Sequence, residues 1–156
     1  MLQSKSQFLG YHSDPVEEPE HPGSRQLLAY WQEKRQENGP LRRSDLNPAE
    51  IAAALPGVFV AEEADDTFRF RLVGSDIEAR MRRVVTGKTL QEIYGDDVGG
   101  RTAAMYADII ANGKPLCLQG NFVGDNLEHV RIESLMLPLI FDNGRPGIVG
   151  TVFDLN

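Results

Sequence analysis

Hydrophobic and polar positions along this chain switch between a strand period and a helix period. From Pro115 to Asp154, three β-rich runs, PLCLQGNFV, HVRIESLMLPLIF and GIVGTVFD, are separated by turn chemistry alone. Short connections force antiparallel neighbours, so this stretch is predicted as a meander. Two further strands are predicted upstream, VFVAEE and TFRFRLV, joined by Ala64-Asp65-Asp66. In the second of these, Phe68, Phe70 and Leu72 share one face, and Thr67, Arg69 and Arg71 the other.

Helical patterns fill the remainder. Ser24 is expected to cap a helix with Leu27, Leu28 and Trp31 on its apolar stripe, ending at Asn38-Gly39 before Pro40. Asn47, Pro48 and Glu50 read as a capping box opening a short helix that stops at Pro56. Ser75 with Glu78, and Thr89 with Glu92, read as capping boxes before IEARMRR and LQEIYG. The longest internal helix is expected over Gly100 to Ala111, with Met105 and Ile109 on its buried side, ending at Asn112-Gly113.

A register for the meander follows from the faces. With Gly124-Asp125-Asn126 as a three-residue loop, Asn121 sits opposite His129, Gln119 opposite Arg131 and Cys117 opposite Glu133, all on one polar face. Leu116, Leu118, Phe122, Val130 and Ile132 then share the other face. Past Ser134 the run LMLPLIF predicts a strand covered on both faces, with Pro138 at a bulge or break. Asn143-Gly144 is a strong hairpin signal.

Composition narrows the function classes. With 156 residues and 41% apolar content, the chain is sized for one domain. Its net charge of −7 argues against a nucleic-acid surface. The single cysteine, Cys117, excludes an internal disulfide, and no apolar run reaches the roughly 20 residues needed to cross a bilayer. The N-terminus lacks a basic start and an apolar signal core, so a cytoplasmic location is expected. Residues 1–22, with their proline- and acid-rich DPVEEPEHP, are read as a flexible arm, a solvated tail being favoured over docking through Phe8, Leu9 and Tyr11. Residues 23–156 are read as one domain, with N-terminal helices over 24–55.

The run from LLAYWQEKRQENGPLRRSDLNP to FRFRLVGSDI, the Thr86-Gly87-Lys88-Thr89-Leu90 segment and the ESLMLPLIFDNG hairpin together resemble a family of short, stand-alone bacterial PAS proteins, over roughly Ser24 to Asp154. The resemblance implies an α+β fold: a five-stranded antiparallel sheet in the order 2-1-5-4-3, helices on one face and an added N-terminal helical region. It also implies a sensory or regulatory module. A PAS flavin photosensor would need a cysteine in an Asn-Cys-Arg motif on a helix, whereas Cys117 lies on a predicted strand. A haem sensor would offer a histidine from the long helix, and residues 97–112 contain none. No cofactor is therefore expected. His12, His21 and His129 form no metal-binding spacing.

Catalysis lacks a motif: there is no Gly-x-Ser-x-Gly elbow, phosphate-cradling glycine loop or HExxH. His129 with Glu133 and Cys117 is the one constellation suited to acid-base or nucleophilic work, and an exposed polar face is favoured over it. The alternative to a regulatory module is a small cavity enzyme or ligand carrier of nuclear-transport-factor-like type using His129 and Glu133. A ligand pocket is expected among Phe70, Leu72, Met81, Ile93, Tyr94, Met105, Ile109, Leu118 and Ile132, with ordinary core as the competing reading. Trp31, Arg69 and Arg71 are the expected interface for a signalling partner or a homodimer, weighed against Trp31 packing its own helix on the sheet. Arg42 and Arg43, in an RxxD setting with Asp45, are the candidate anion contact, weighed against a loop contact tying the helices together.

Overall fold

A computed structural model describes residues 11–122 and 129–156. The chain runs through β1 (Tyr11–Val16), α1 (Pro22–Lys34), β2 (Leu41–Arg42), a series of 3-10 turns between Arg43 and Gly57, β3 (Val58–Ala64) and β4 (Thr67–Val73). It continues through α2 (Ser75–Met81), α3 (Leu90–Tyr94), α4 (Asp96–Asn112), β5 (Leu116–Phe122), β6 (Arg131–Ile140) and β7 (Pro146–Asp154). The strands form one sheet in the order β1-β5-β6-β7-β3-β4, and β2 pairs parallel with the end of β6.

Alternating side chains build two cores on the two faces of this sheet. Leu135, Leu137 and Leu139 of β6 join Val58, Val60 and Val149 beneath α1, where Leu27, Tyr30 and Trp31 cover them. Met136, Ile148, Phe59 and Ala61 face the other way, under Leu90 and Ile93 of α3 and Ala103, Tyr106 and Ile109 of α4. The strand covered on both faces therefore exists: every residue of β6 from Ile132 to Leu139 is buried. Pro138 does not break it. The β6–β7 ladder passes Pro138↔Ile148 without a register shift. Pro138 O accepts from Trp31 Nε1 at 2.8 Å, and in an antiparallel strand a residue's N and O point the same way. The missing N–H thus falls in the gap between Met136, the last partner of β5, and Leu139, where β2 takes over.

Several local expectations change. Helix α1 starts three residues early, with His21 rather than Ser24 as N-cap, accepting from Gly23 N at 3.0 Å, and ends at Lys34 rather than at Asn38-Gly39. Ser24 is consequently inside the helix, where its hydroxyl bonds Thr151 Oγ1 at 2.7 Å in the buried α1–β7 contact. Gly23 permits that contact, because a Cβ there would lie 2.7 Å from the Phe153 ring and 2.5 Å from Ala53 O. Asn47 does cap, accepting from Ala49 N, but only a 3-10 turn follows, and Pro56 precludes regular extension. Gly74, without any side-chain cap bond, replaces Ser75 as the N-cap of α2. The Thr89–Glu92 capping box is present in full. Helix α4 begins at Asp96, four residues before the expected start, and ends on Gly113 at φ 69°.

The arm expected over residues 1–22 is not unpaired throughout. β1 pairs antiparallel with β5, Val16↔Cys117 and Asp14↔Gln119, and Pro15 sits on this edge strand, where a missing donor is tolerated. Phe8 and Leu9 lie outside the described residues. So does the Gly124-Asp125-Asn126 loop, but the strands around it pair two residues away from expectation: Asn121↔Arg131, Gln119↔Glu133 and Cys117↔Leu135. A shift of two preserves every face, so the polar and apolar sorting cannot distinguish the two registers. His129 falls outside the ladder.

Candidate functional site

The side of the sheet under α2, α3 and α4 brings together, as packed core, most of the residues expected to line a pocket. Phe70, Ile93 and Ile109 are buried together, with Met81, Tyr94, Met105 and Leu118 packed against them. Phe59, Phe68, Phe70 and Tyr106 fill the centre edge to face and stacked, with centroids 5.2–6.2 Å apart. Leu72 is not among them. β4 slips past β3 at a bulge, Val60↔Leu72 followed by Ala61↔Phe70, which turns Leu72 to the α1 face beside Val60. Ile132 is buried opposite Gly120 and belongs to neither cluster. Where α4 ends and β5 begins, a groove of about 540 Å³ opens beside this core, lined by Met105, Asp108, Ile109, Asn112, Lys114, Pro115 and Leu116.

A mixed sheet-and-helix domain of this kind is matched by one family model, described as a PAS domain, over residues 19–153. The chain belongs to the PAS domain family. Among solved structures it is similar to an RNA-binding Light-Oxygen-Voltage receptor, at 18% identity and a TM-score of 0.47, covering 94% of this chain. The chain spans only 38% of that receptor's length. It is also similar to the PAS domain of Bordetella pertussis BvgS, at 17% identity and a TM-score of 0.46, over 65% of this chain and 78% of that one. No curated protein matches.

In this PAS domain the other sheet face is not an open surface. Trp31, expected at an interface, is 1% exposed and anchored to Pro138 O. Its burial follows from α1 lying on the sheet, with Arg35 stacked over its ring at 4.3 Å. Of the polar set on β5 and β6, Cys117 and Glu133 are covered, whereas Asn121, His129 and Arg131 are exposed. Glu133 is fully buried, its Oε2 accepting from Glu20 N at 2.6 Å and Gln119 Nε2 at 2.8 Å, and its Oε1 from His21 N at 3.1 Å. One carboxylate therefore holds the entry to α1 on the sheet, its charge favoured at a helix N-terminus. Arg131 adds a bond to Glu20 at 3.2 Å, and the His21 ring stacks on Phe153 at 3.7 Å. Glu20 and His21 carry no local signal for this role, because they sit in a segment whose composition reads as a tail.

The constellation of His129, Glu133 and Cys117 is not assembled as expected. Cys117 and Glu133 share a face in the shifted register, whereas His129 is exposed in the turn before β6, its carbonyl accepting from Asn156 Nδ2. Burial, with Glu133 and Glu20 nearby, pushes the Cys117 thiol up to about 12, away from thiolate chemistry. Glu62, also buried, is held below the ordinary carboxylate range, first by the Asn143 amide and then by Arg71 at 2.8 Å, against the opposing effect of burial. Arg71 is thereby tied to its own sheet, and Arg69 donates to Gly87 O at 2.7 Å. Arg42 is exposed on β2 and Arg43 opens a 3-10 turn, and the loop is tied to α1 by the Tyr30 hydroxyl, which donates to Asp45 O and accepts from Asn47 N. Among the described residues no group of His, Cys, Asp or Glu is arranged to hold a metal ion, and no helix is long and apolar enough to cross a membrane.

Proposed function

We propose that this PAS domain is a non-enzymatic regulatory module that acts in trans through protein contacts, with a small apolar ligand received at the groove beside α4. Membership of a sensory-module family supports the class. The observation that carries the finer reading is polar saturation: among the described residues, no buried side-chain nitrogen or oxygen lacks a hydrogen-bond partner. Interior carboxylates are committed to holding the fold, Glu133 to the α1 entry and Glu62 to Arg71 and Asn143. The interior thus offers shape and apolar contact, which suit ligand sensing, rather than unemployed acids and bases. The cavity-enzyme alternative needs His129 and Glu133 to face one substrate, and these residues are engaged separately.

Native mass spectrometry of freshly purified protein tests the ligand, and photo-crosslinking from exposed positions in the source cells tests action in trans. The expected results are a retained apolar small molecule released by Met105→Trp and a discrete protein adduct. Turnover on a substrate panel, lost in a folded His129→Ala variant, would overturn the regulatory reading in favour of the enzyme.

A further inference from the structure

The segment after α2 runs against the charge of the chain. Between Ala79 and Gln91 stand Arg80, Arg82, Arg83 and Lys88 without a carboxylate, in a protein of net charge −7. The segment is laid along the free edge of β4: Phe70 N donates to Lys88 O at 3.0 Å, Gly87 N donates to Phe70 O at 2.8 Å, and Arg69 bridges to Thr89. Arg69 and Arg71 border it from β4. Neighbouring acids neutralise part of this charge: Asp154 pairs with Arg80, Glu92 approaches Arg69 at 4.0 Å, Glu62 holds Arg71, and Glu78 lies 3.5 Å from the Thr86 hydroxyl. Arg83 donates to Ile93 O at 2.7 Å, a carbonyl rather than a carboxylate. Arg82, Arg83 and Lys88 have no carboxylate within ion-pairing distance among the described residues.

Two independent features mark the same loop. Val84 is 65% exposed, the one large hydrophobic side chain so presented among the described residues, while its neighbour Val85 is buried. Arg82 ends α2 in the left-handed region at φ 58°. Among the described residues, the other non-glycine positions with positive φ are Asn38 and Asp65, types that tolerate this backbone. An arginine does not, and glycine is the usual occupant of this position. A long cationic side chain is thus kept at a strained cap beside an exposed valine, and strained positions of this kind cluster at ligand clamps and switch regions.

We propose that the Arg82–Lys88 loop, bordered by Arg69 and Arg71, is a docking site for an acidic protein segment that carries an apolar side chain to cover Val84. The proposal rests on the reading that this domain works through protein contacts, and it names the surface and the partner's chemistry. A nucleic acid fits less well. Its charge extends well beyond the roughly 10 Å over which a local patch dominates, so it would meet the surrounding acidic surface, and its backbone offers Val84 no apolar partner.

The test uses the full chain and a synthetic glutamate-rich peptide with one central leucine, alongside the same peptide with serine in place of leucine and a single-stranded oligonucleotide. Amide shift mapping is expected to place the leucine peptide on residues 80–88 and the neighbouring part of β4, with affinity falling as salt rises. Val84→Ser is expected to weaken the leucine peptide about fivefold and to leave the serine peptide unchanged. Arg82→Gly is expected to raise Tm by about 2–4 °C while weakening the peptide severalfold, opposite signs that a structural role alone does not produce. No binding, shifts on another surface, equal binding of both peptides, or tighter binding of the oligonucleotide each overturn the proposal. A protein adduct formed elsewhere on the surface would leave the regulatory reading standing while removing this site.

Discussion

Replacing Glu133 with glutamine isolates the contact that joins the N-terminal segment to the sheet. The two side chains have the same shape, so packing is preserved and only the hydrogen-bond inventory changes. Glu133 presents acceptors on both oxygens to three donors, Glu20 N, His21 N and Gln119 Nε2. Glutamine offers one acceptor oxygen and one NH₂, so in either orientation a donor faces a donor. Losing a charge-assisted bond and stranding one N–H costs about 2 kcal/mol. For a domain of this size that lowers Tm by about 4–8 °C. Thermal unfolding measures the total, and hydrogen exchange by mass spectrometry locates it: peptides covering residues 19–34 are expected to exchange faster than those from β6 and β7. Unchanged Tm and exchange would refute the assignment of Glu133 as the anchor of α1. A rise in Tm would show that desolvation of the buried carboxylate outweighs its hydrogen bonds.

Three further outcomes follow from the same geometry. Trp31→Phe removes the donor to Pro138 O and leaves that carbonyl in the gap between β5 and β2, for an expected loss of about 1–3 kcal/mol in urea unfolding; an unchanged midpoint would place the indole bond among dispensable contacts. Glu62 has its folded pKa depressed, so its stabilisation is present above the unfolded value and is lost as pH falls through the folded one. Glu62→Gln should therefore be less stable than the parent at pH 7 and converge with it in acid, and a gap constant with pH would contradict the sign. Cys117, with its thiol pushed from 9.0 to about 12, has a thiolate fraction near pH 8 lowered roughly a thousandfold. Disulfide reagents should label it quickly only after unfolding, and rapid native labelling would show that the core on the α1 face opens.

Local chemistry was legible wherever it is self-contained. The Asp65 turn, the Thr89–Glu92 box, the Gly113 helix end and the Asn143-Gly144 hairpin each depend on a few adjacent residues, and each stands where the pattern put it. Helix starts were less legible. Ser24 looked like a cap because serine often is one, but its hydroxyl is taken by Thr151 from a strand far along the chain. The candidate site was partly legible: Phe70, Ile93, Met105 and Ile109 do gather under the helices, while the bulge removes Leu72 and the burial of α1 removes Trp31.

By itself the sequence determined the order and type of most elements and which residues share a strand face, because periods of 2 and 3.6 are properties of neighbouring positions. Only the tertiary structure decided the register of β5 on β6, since a slip of two residues leaves the alternation intact and is settled by partners such as Gln119 and Glu133. It alone decided that an acid-rich segment read as a tail becomes an edge strand and a helix entry. Two of the three donors that make a buried Glu133 tolerable are backbone groups more than a hundred residues away, and no local pattern records them.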